Sequence, residues 1–322
     1  MSEPESSDIQ AVAQRGDDIF LLRLAYDVGD NAGDVGDVFR ISAQHPKGVR
    51  PEKVLSTNDS LRCLWASPQG TLWTGSALGV VAATAPFVWP APARGSRYTG
   101  SATFAPWAAI ELPLLRKHGR PPNVSALWGT ADDDMYAGAY GGHIYHWDGD
   151  AWTQVVDGPD SGVTAIRAFG GGAGDVYAVG ESQTLLHFDG AAWRPLRIPG
   201  VADSSENFTG ICRRDDGDML IAASGVASRL LQGSAQGGFT ELGKYSLSLL
   251  AMIVLDGRVL FPTGDAVAEL IGRDVRVIKE VSVIVAYSGE DRAFFVQAEQ
   301  PKPAYIEYDP RDEARPWRIF RY

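Results

Sequence analysis

Gly129 to Trp152 reads GTADDDMYAGAYGGHIYHWDGDAW, and a shift of 41 residues lays it on Gly170 to Trp193, GGGAGDVYAVGESQTLLHFDGAAW. Nine of the 24 positions are identical without a gap, among them Asp134/Asp175, Tyr136/Tyr177, His146/His187, Asp148/Asp189, Gly149/Gly190 and Trp152/Trp193. A repeat of this period is one supersecondary unit copied along the chain, and its content says which unit. Met135-Tyr136-Ala137 and Val176-Tyr177-Ala178-Val179 are short runs bounded by Asp and Gly, the pattern of a strand between turns. Asp148-Gly149 and Asp189-Gly190 separate aromatic-rich runs, where a tight hairpin needs positive φ and glycine adopts it freely. With Val124 to Trp128 and Val163 to Phe169 in front, each copy holds four strands in about 41 residues, the length of one β-propeller blade.

Outward from these two copies, the same turn followed by an apolar strand starts near Asp18, Thr71, Asp134, Asp175, Asp218, Arg258 and Arg292. The intervals of 53, 63, 41, 43, 40 and 34 residues average near 46, which is also 322 divided by seven. The expected fold is all-β: a single β-propeller domain over residues 1–322 with seven four-stranded blades. The degenerate last copies leave six or eight as alternatives. The two long intervals require extra loops in the first two blades, the second placed around Pro86 to Trp107. Trp128, Tyr136, Trp152, Phe169, Tyr177 and Trp193 recur at the period and are expected between blades. Ile9 to Ala13 either pairs inside the first blade or completes the last, where Tyr305 to Tyr308 and Trp317 to Tyr322 read as strands.

Composition narrows the partners. The 29 Lys and Arg against 40 Asp and Glu give a formal charge of −11. Nucleic acid and anionic membranes call for the opposite sign, so neither is expected as a partner. Met1 to Glu5 offers neither a basic start nor an apolar stretch, and the longest apolar run, Leu249 to Leu255, has seven residues where a span needs ~18. Cys63 and Cys212 lie too far apart in sequence for a disulfide framework or a zinc site. A cytoplasmic chain is expected.

Residues able to carry chemistry are present but poorly arranged for it. His143 and His146, three apart on a strand, point to opposite faces, and His146 and His187 share a repeat position, which favours a structural role. The Asp clusters at 132–134 and 215–218 match no twelve-residue calcium loop and read as turn formers. No metal or cofactor is expected. Carboxylates are too numerous for one glycosidase pair to stand out, and no nucleophile elbow or phosphate loop occurs.

The copy from Trp128 to Trp152, with its W-G-T-x-x-D-x-Y-A-G-x-x-G-x-I-x-H-x-D-G-x-x-W character, resembles the divergent repeats of bacterial β-propeller proteins. It lacks the Gly-His and Trp-Asp signature of WD40 repeats. The resemblance implies a propeller and a taste for binding. In such a ring the first-to-second and third-to-fourth turns share one face, here rich in acid: Asp17, Asp18, Asp132 to Asp134, Asp148, Asp150, Asp215, Asp216, Asp218, Asp256, Glu290 and Asp291. The aromatic insert leaves from that face too. The candidate partner-binding residues are therefore Trp89, Tyr98, Trp107, Asp132, Asp133 and Asp134, facing a basic protein. An acidic, motif-free chain of this kind looks like immunity proteins that sequester a bacterial toxin, of a type VI secretion or polymorphic-toxin system. The alternatives are a carbohydrate-active hydrolase or lyase with its site at the propeller mouth, and an assembly factor.

Overall fold

The computed structural model describes residues 6–27, 30–42, 51–84, 107–117, 119–158, 163–168, 174–198, 206–214, 217–297 and 304–321, and every regular element among them is a strand. Blade 1 is β1 (Ser6–Arg15), β2 (Asp18–Asp27), β3 (Asp30–Ser42) and β4 (Glu52–Thr57), and blade 2 is β5 (Leu61–Ala66), β6 (Leu72–Ser76), β7 (Val80–Thr84) and β8 (Trp107–Glu111). Blade 3 is β9 (Val124–Ala131), β10 (Asp134–Ala139), β11 (His143–Trp147) and β12 (Trp152–Val156), and blade 4 is β13 (Val163–Ala168), β14 (Val176–Gly180), β15 (Leu185–Phe188) and β16 (Trp193–Pro195). Blade 5 runs through β17 (Asn207–Arg213), β18 (Met219–Ser224), β19 (Ser228–Ser234) and β20 (Gly238–Tyr245). Blade 6 is β21 (Ile253–Leu255), β22 (Arg258–Pro262), β23 (Ala266–Ile271) and β24 (Asp274–Glu280), and blade 7 is β25 (Val285–Ser288), β26 (Ala293–Gln297), β27 (Ala304–Tyr308) and β28 (Trp317–Arg321). Each blade is a four-stranded sheet in sequence order, and every pairing is antiparallel. The count is seven.

The core is divided among the joints between blades. Side chains alternate across a strand, so one strand serves two joints. In β10, Met135 and Ala137 pack with Trp73 and Trp152 toward blade 2, while Tyr136 packs with Ile166 and Val176 toward blade 4. Middle strands are thereby buried on both sides, and β6, β7, β10 and β14 are almost continuously buried. The outermost strands face solvent, and β20, β24 and β28 are mostly exposed or half-buried.

Six joints are also linked by the chain; the seventh closes the ring without a covalent connection. β1 pairs with β2 inside its own blade, which settles the alternative left open for Ile9 to Ala13. Closure comes instead from Ile9, Val12, Ile19 and Leu21 packed on Phe294, Val296 and Tyr305, and from a polar latch. Gln14 donates to Asp291 Oδ1 at 2.8 Å and accepts from the Glu290 amide at 3.1 Å, while Glu290 Oε1 accepts from the Gly16 amide at 2.9 Å.

The inner strands of blades 1 to 5 carry one extra residue at the same place, breaking register at Gln10, Arg62, Ser125, Thr164 and Thr209. A bulge bends its strand and re-aims the extra residue. Arg62, Ser125 and Thr209 accordingly line the central channel. The insert of blade 2 joins β7 to β8, the expected place, although the connection from Leu112 to Asn123 takes up further length.

Candidate functional site

In six of the seven blades a polar pair forms a clasp, made in blades 3 and 4 by the aspartates and histidines of the repeat. The residue that opens the second strand bonds to a side chain on the third strand, two positions along in register. The pairs are Asp18 with Arg40 at 2.8 Å, Asp134 with His146 at 2.7 Å, Asp175 with His187 at 2.8 Å, Asp218 with Gln232, Arg258 with Glu269 at 2.6 Å, and Arg292 with Glu307. In blades 3 and 4 the histidine also stacks on a tyrosine, Tyr136 to His146 at 4.5 Å and Tyr177 to His187 at 4.3 Å. Blade 2 has Thr71 and Ala83 at the two places and turns outward instead: Thr71 Oγ1 donates to Asp132 of blade 3 at 2.6 Å. Burial alone would raise the Asp134 carboxyl, but hydrogen bonds from His146 and Thr130 outweigh it and hold the group below the usual carboxylate range. His143 lies on the other side of β11, against Gln154, Asp157 and the Gly158 amide.

The expected partner-binding residues meet different fates. Trp89 and Tyr98 lie outside the described residues, as does Phe169 of the expected core. Trp107 is the first residue of β8 and is 9% exposed, packed with Phe20, Leu22 and Leu72 in the joint between blades 1 and 2. Asp132 accepts from Thr71 and, at 3.1 Å, from the indole N–H of Trp73, so it clamps two blades together. Asp134 is committed to its clasp, and Asp133 alone of the three is exposed. The acid of the third-to-fourth turns also works locally, Asp148 accepting from the amides of Asp150 and Ala151 and Asp189 from those of Ala191 and Ala192. Those amide bonds lower both carboxyls. Of the expected core aromatics, Tyr136, Trp152 and Tyr177 are buried, whereas Trp128 and Trp193 are only half-buried.

The channel encloses about 1070 Å³, and its described lining holds two charged residues, Arg62 and Glu290, at opposite mouths. A glycosidase flanks its scissile bond with two carboxyl groups roughly 5–10 Å apart. The described lining offers one carboxylate.

The face opposite the acidic turns has a different character. It is built from second-to-third-strand turns and connections between blades, and it displays Leu78, Leu114, Tyr140, Val226 and Ile284, five of the nine exposed large hydrophobics among the described residues. Three of them form one surface. The connection from Leu112 to Asn123 lies across the turns of blades 2 and 3: the Leu112 amide donates to Gly79 O at 2.7 Å and the Tyr140 amide to Asn123 O at 2.9 Å. Leu112 and Leu115 are buried in the joint between blades 2 and 3, and the Tyr145 hydroxyl donates to Pro113 O at 3.0 Å. With its neighbours pinned inward, Leu114 is 44% exposed beside Leu78 at 53% and Tyr140 at 55%. Sequence reasoning names the opposite mouth, around Tyr140 and Glu181, only as the place to look if the acidic face does not bind, and passes over Leu78, Leu114, Val226 and Ile284. Their signal was a large apolar residue beside a turn glycine, Leu78-Gly79, Tyr140-Gly141 and Gly225-Val226, where turn chemistry alone calls for polar side chains.

No protein-family model and no curated protein matches the chain. Solved structures do. A chain in a mitotic checkpoint complex aligns with a TM-score of 0.63 at 12% identity, over 92% of this chain and 91% of its own. The WD40 propeller domain of Doa1 gives 0.60 at 11% identity, over 91% and 93%, and YCF48 bound to D1 peptide gives 0.56 at 12%, over 92% of both. At such identities the likeness speaks to architecture. The chain is a seven-bladed β-propeller that shares the WD40-type ring without the WD40 sequence signature.

Proposed function

We propose that this propeller is a non-enzymatic protein-binding scaffold whose contact surface is the face of Leu78, Leu114, Tyr140, Val226 and Ile284. The observation that carries the reading is the group of Leu78, Leu114 and Tyr140 about the connection between blades 2 and 3, because large apolar side chains gathered into one exposed patch mark interaction sites. A second feature of the same face supports it. Ser182 and Gln183 hold positive φ values of 52° and 58° in the turn of blade 4, a conformation costly for residues with a Cβ. The propellers similar in fold include one solved with a bound peptide and one inside a multi-protein complex. A toxin-sequestering immunity role is a second form of the scaffold reading, on the other face. It would use the acidic face, where Asp133 is the exposed member of the expected triplet.

Co-purification from the source cell, with tagged wild-type and variant chains, tests the reading. A stoichiometric partner should be lost on Leu114→Ser combined with Tyr140→Ala and kept on Asp133→Asn. The reverse pattern would move the site to the acidic face, and turnover of a glycoside without any partner would replace the scaffold reading with an enzymatic one.

A further inference from the structure

We infer that the surface between blades 2 and 3 takes an acidic, apolar-anchored linear segment of another protein. The inference rests on the scaffold reading and adds the chemistry of the occupant. Around Leu78, Leu114 and Tyr140 stand Arg62, Arg116, Lys117 and Arg120, all exposed. Arg62 is the bulge residue turned into the channel mouth, and the other three lie on the connection pinned across the same turns. The acid near this group is smaller, and it includes Glu111, half-buried at the end of β8 opposite Val80. Asp157 lies 3.7 Å from Lys117, and Asp59 is 5% exposed beneath the surface, its carboxyl raised by burial toward the neutral form.

A local positive patch on a chain of net charge −11 is a selective feature. Charge elsewhere on the ring is screened over ~8–10 Å at ordinary ionic strength, so an approaching segment responds chiefly to the groups near its landing site. Complementarity then calls for Asp and Glu in the segment, and the three apolar side chains call for one or two large apolar anchors. The platform is already ordered. Arg116 donates to Gln154 O at 2.9 Å, and the Leu115 amide donates to Arg120 O at 2.9 Å across a turn with Gly119 at φ +58°. Little ordering is left to oppose binding.

The test uses the full chain, immobilised and challenged with a displayed library of random short peptides. Enriched sequences are then made as fluorescein-labelled probes and titrated by fluorescence anisotropy. They should be net negative with a Leu, Ile, Phe or Trp anchor, and their Kd should rise about tenfold or more on Tyr140→Ala or Arg120→Glu. Binding should weaken as salt is raised and should ignore Asp133→Lys. Thermal melting checks that each variant is folded, and Leu114→Ser removes the anchor site independently. Enrichment of basic peptides, no enrichment, or binding indifferent to all three variants would overturn the inference. So would tighter binding of a single-stranded RNA probe through Arg120, or self-association abolished by Tyr140→Ala in sedimentation. Peptides lost specifically on Asp133→Lys would leave the scaffold reading standing and remove this occupant.

Discussion

Glu307 is 2% exposed, with the Arg292 guanidinium against its carboxylate, and this pair is the most deeply buried of the six clasps. Removing one charge from such a pair leaves the other desolvated, whereas replacing both with apolar groups removes the penalty along with the attraction. Arg292→Ala should therefore cost about 3–5 kcal/mol in denaturant unfolding, and Arg292→Leu with Glu307→Leu clearly less. Trp152→Ala should cost a similar ~3–5 kcal/mol, because its ring fills the joint between Trp73 at 6.4 Å and Trp147 at 5.9 Å. Asp59 works in the opposite sense. Both carboxylate oxygens are buried without a close, well-aligned donor, and burial raises the group, offset only in part by the nearby Ser76 hydroxyl, the Ser60 amide and Arg62. A raised carboxyl stabilises the fold while protonated and loses that contribution as pH rises through its folded value. Asp59→Asn should raise Tm at neutral pH, with the gain shrinking as pH approaches the ordinary carboxylate range. Asp291 gives the reverse slope. Burial would raise it, but bonds from Gln14, Arg292 and Arg311 bring it to about 2. Its stabilisation is present above the ordinary pKa of 3.8 and fades as pH falls toward about 2. Tm should stay level through neutral pH and drop below about pH 4, less steeply in Asp291→Asn.

At the scale of strands and turns, the latch between blades 7 and 1 is the joint with no chain across it. Gln14 is buried and makes three hydrogen bonds there. Gln14→Leu should cost about 1–3 kcal/mol by stranding those partners. Amide exchange should speed up in β1 and β25 while β18 and β19 keep wild-type protection; a uniform increase would mean that the joint is not a separate opening unit. The blade starts read from sequence, Asp18 through Arg292, are the clasp residues or, in blade 2, its substitute, which is why the period survived where other similarity had faded. A polar side chain that must bond across two strands tolerates few replacements, and those seen keep a bonding pair: Asp with Arg, Asp with His, Asp with Gln, Arg with Glu. The aromatic positions were less legible. Tyr136 and Tyr177 sit on doubly covered middle strands, whereas Trp193 opens an outer strand and Trp128 borders the channel, and the repeat period alone does not distinguish these settings. The local roles of the acidic turns were illegible for a related reason. Composition counts carboxylates but not their internal partners, and the bonds made by Asp132, Asp134, Asp148 and Asp189 become visible only when strands are in register.

For the whole molecule, two faces with different chemistry follow from one topology. One collects hairpin turns whose acid is largely consumed in clasps, latch and turns; the other collects connections that must cross from blade to blade and that carry Leu114, Arg116, Lys117 and Arg120 outward. The proposed binding surface is the second face. Hydrogen–deuterium exchange of the purified chain, alone and with the partner that co-purifies with it, tests this most directly. The account predicts new protection in the turns at Leu78 and Tyr140 and in the connection from Leu112 to Asn123, with the turns at Asp133 and Asp148 exchanging as they do in the free chain. Protection confined to the Asp133 and Asp148 turns would contradict it.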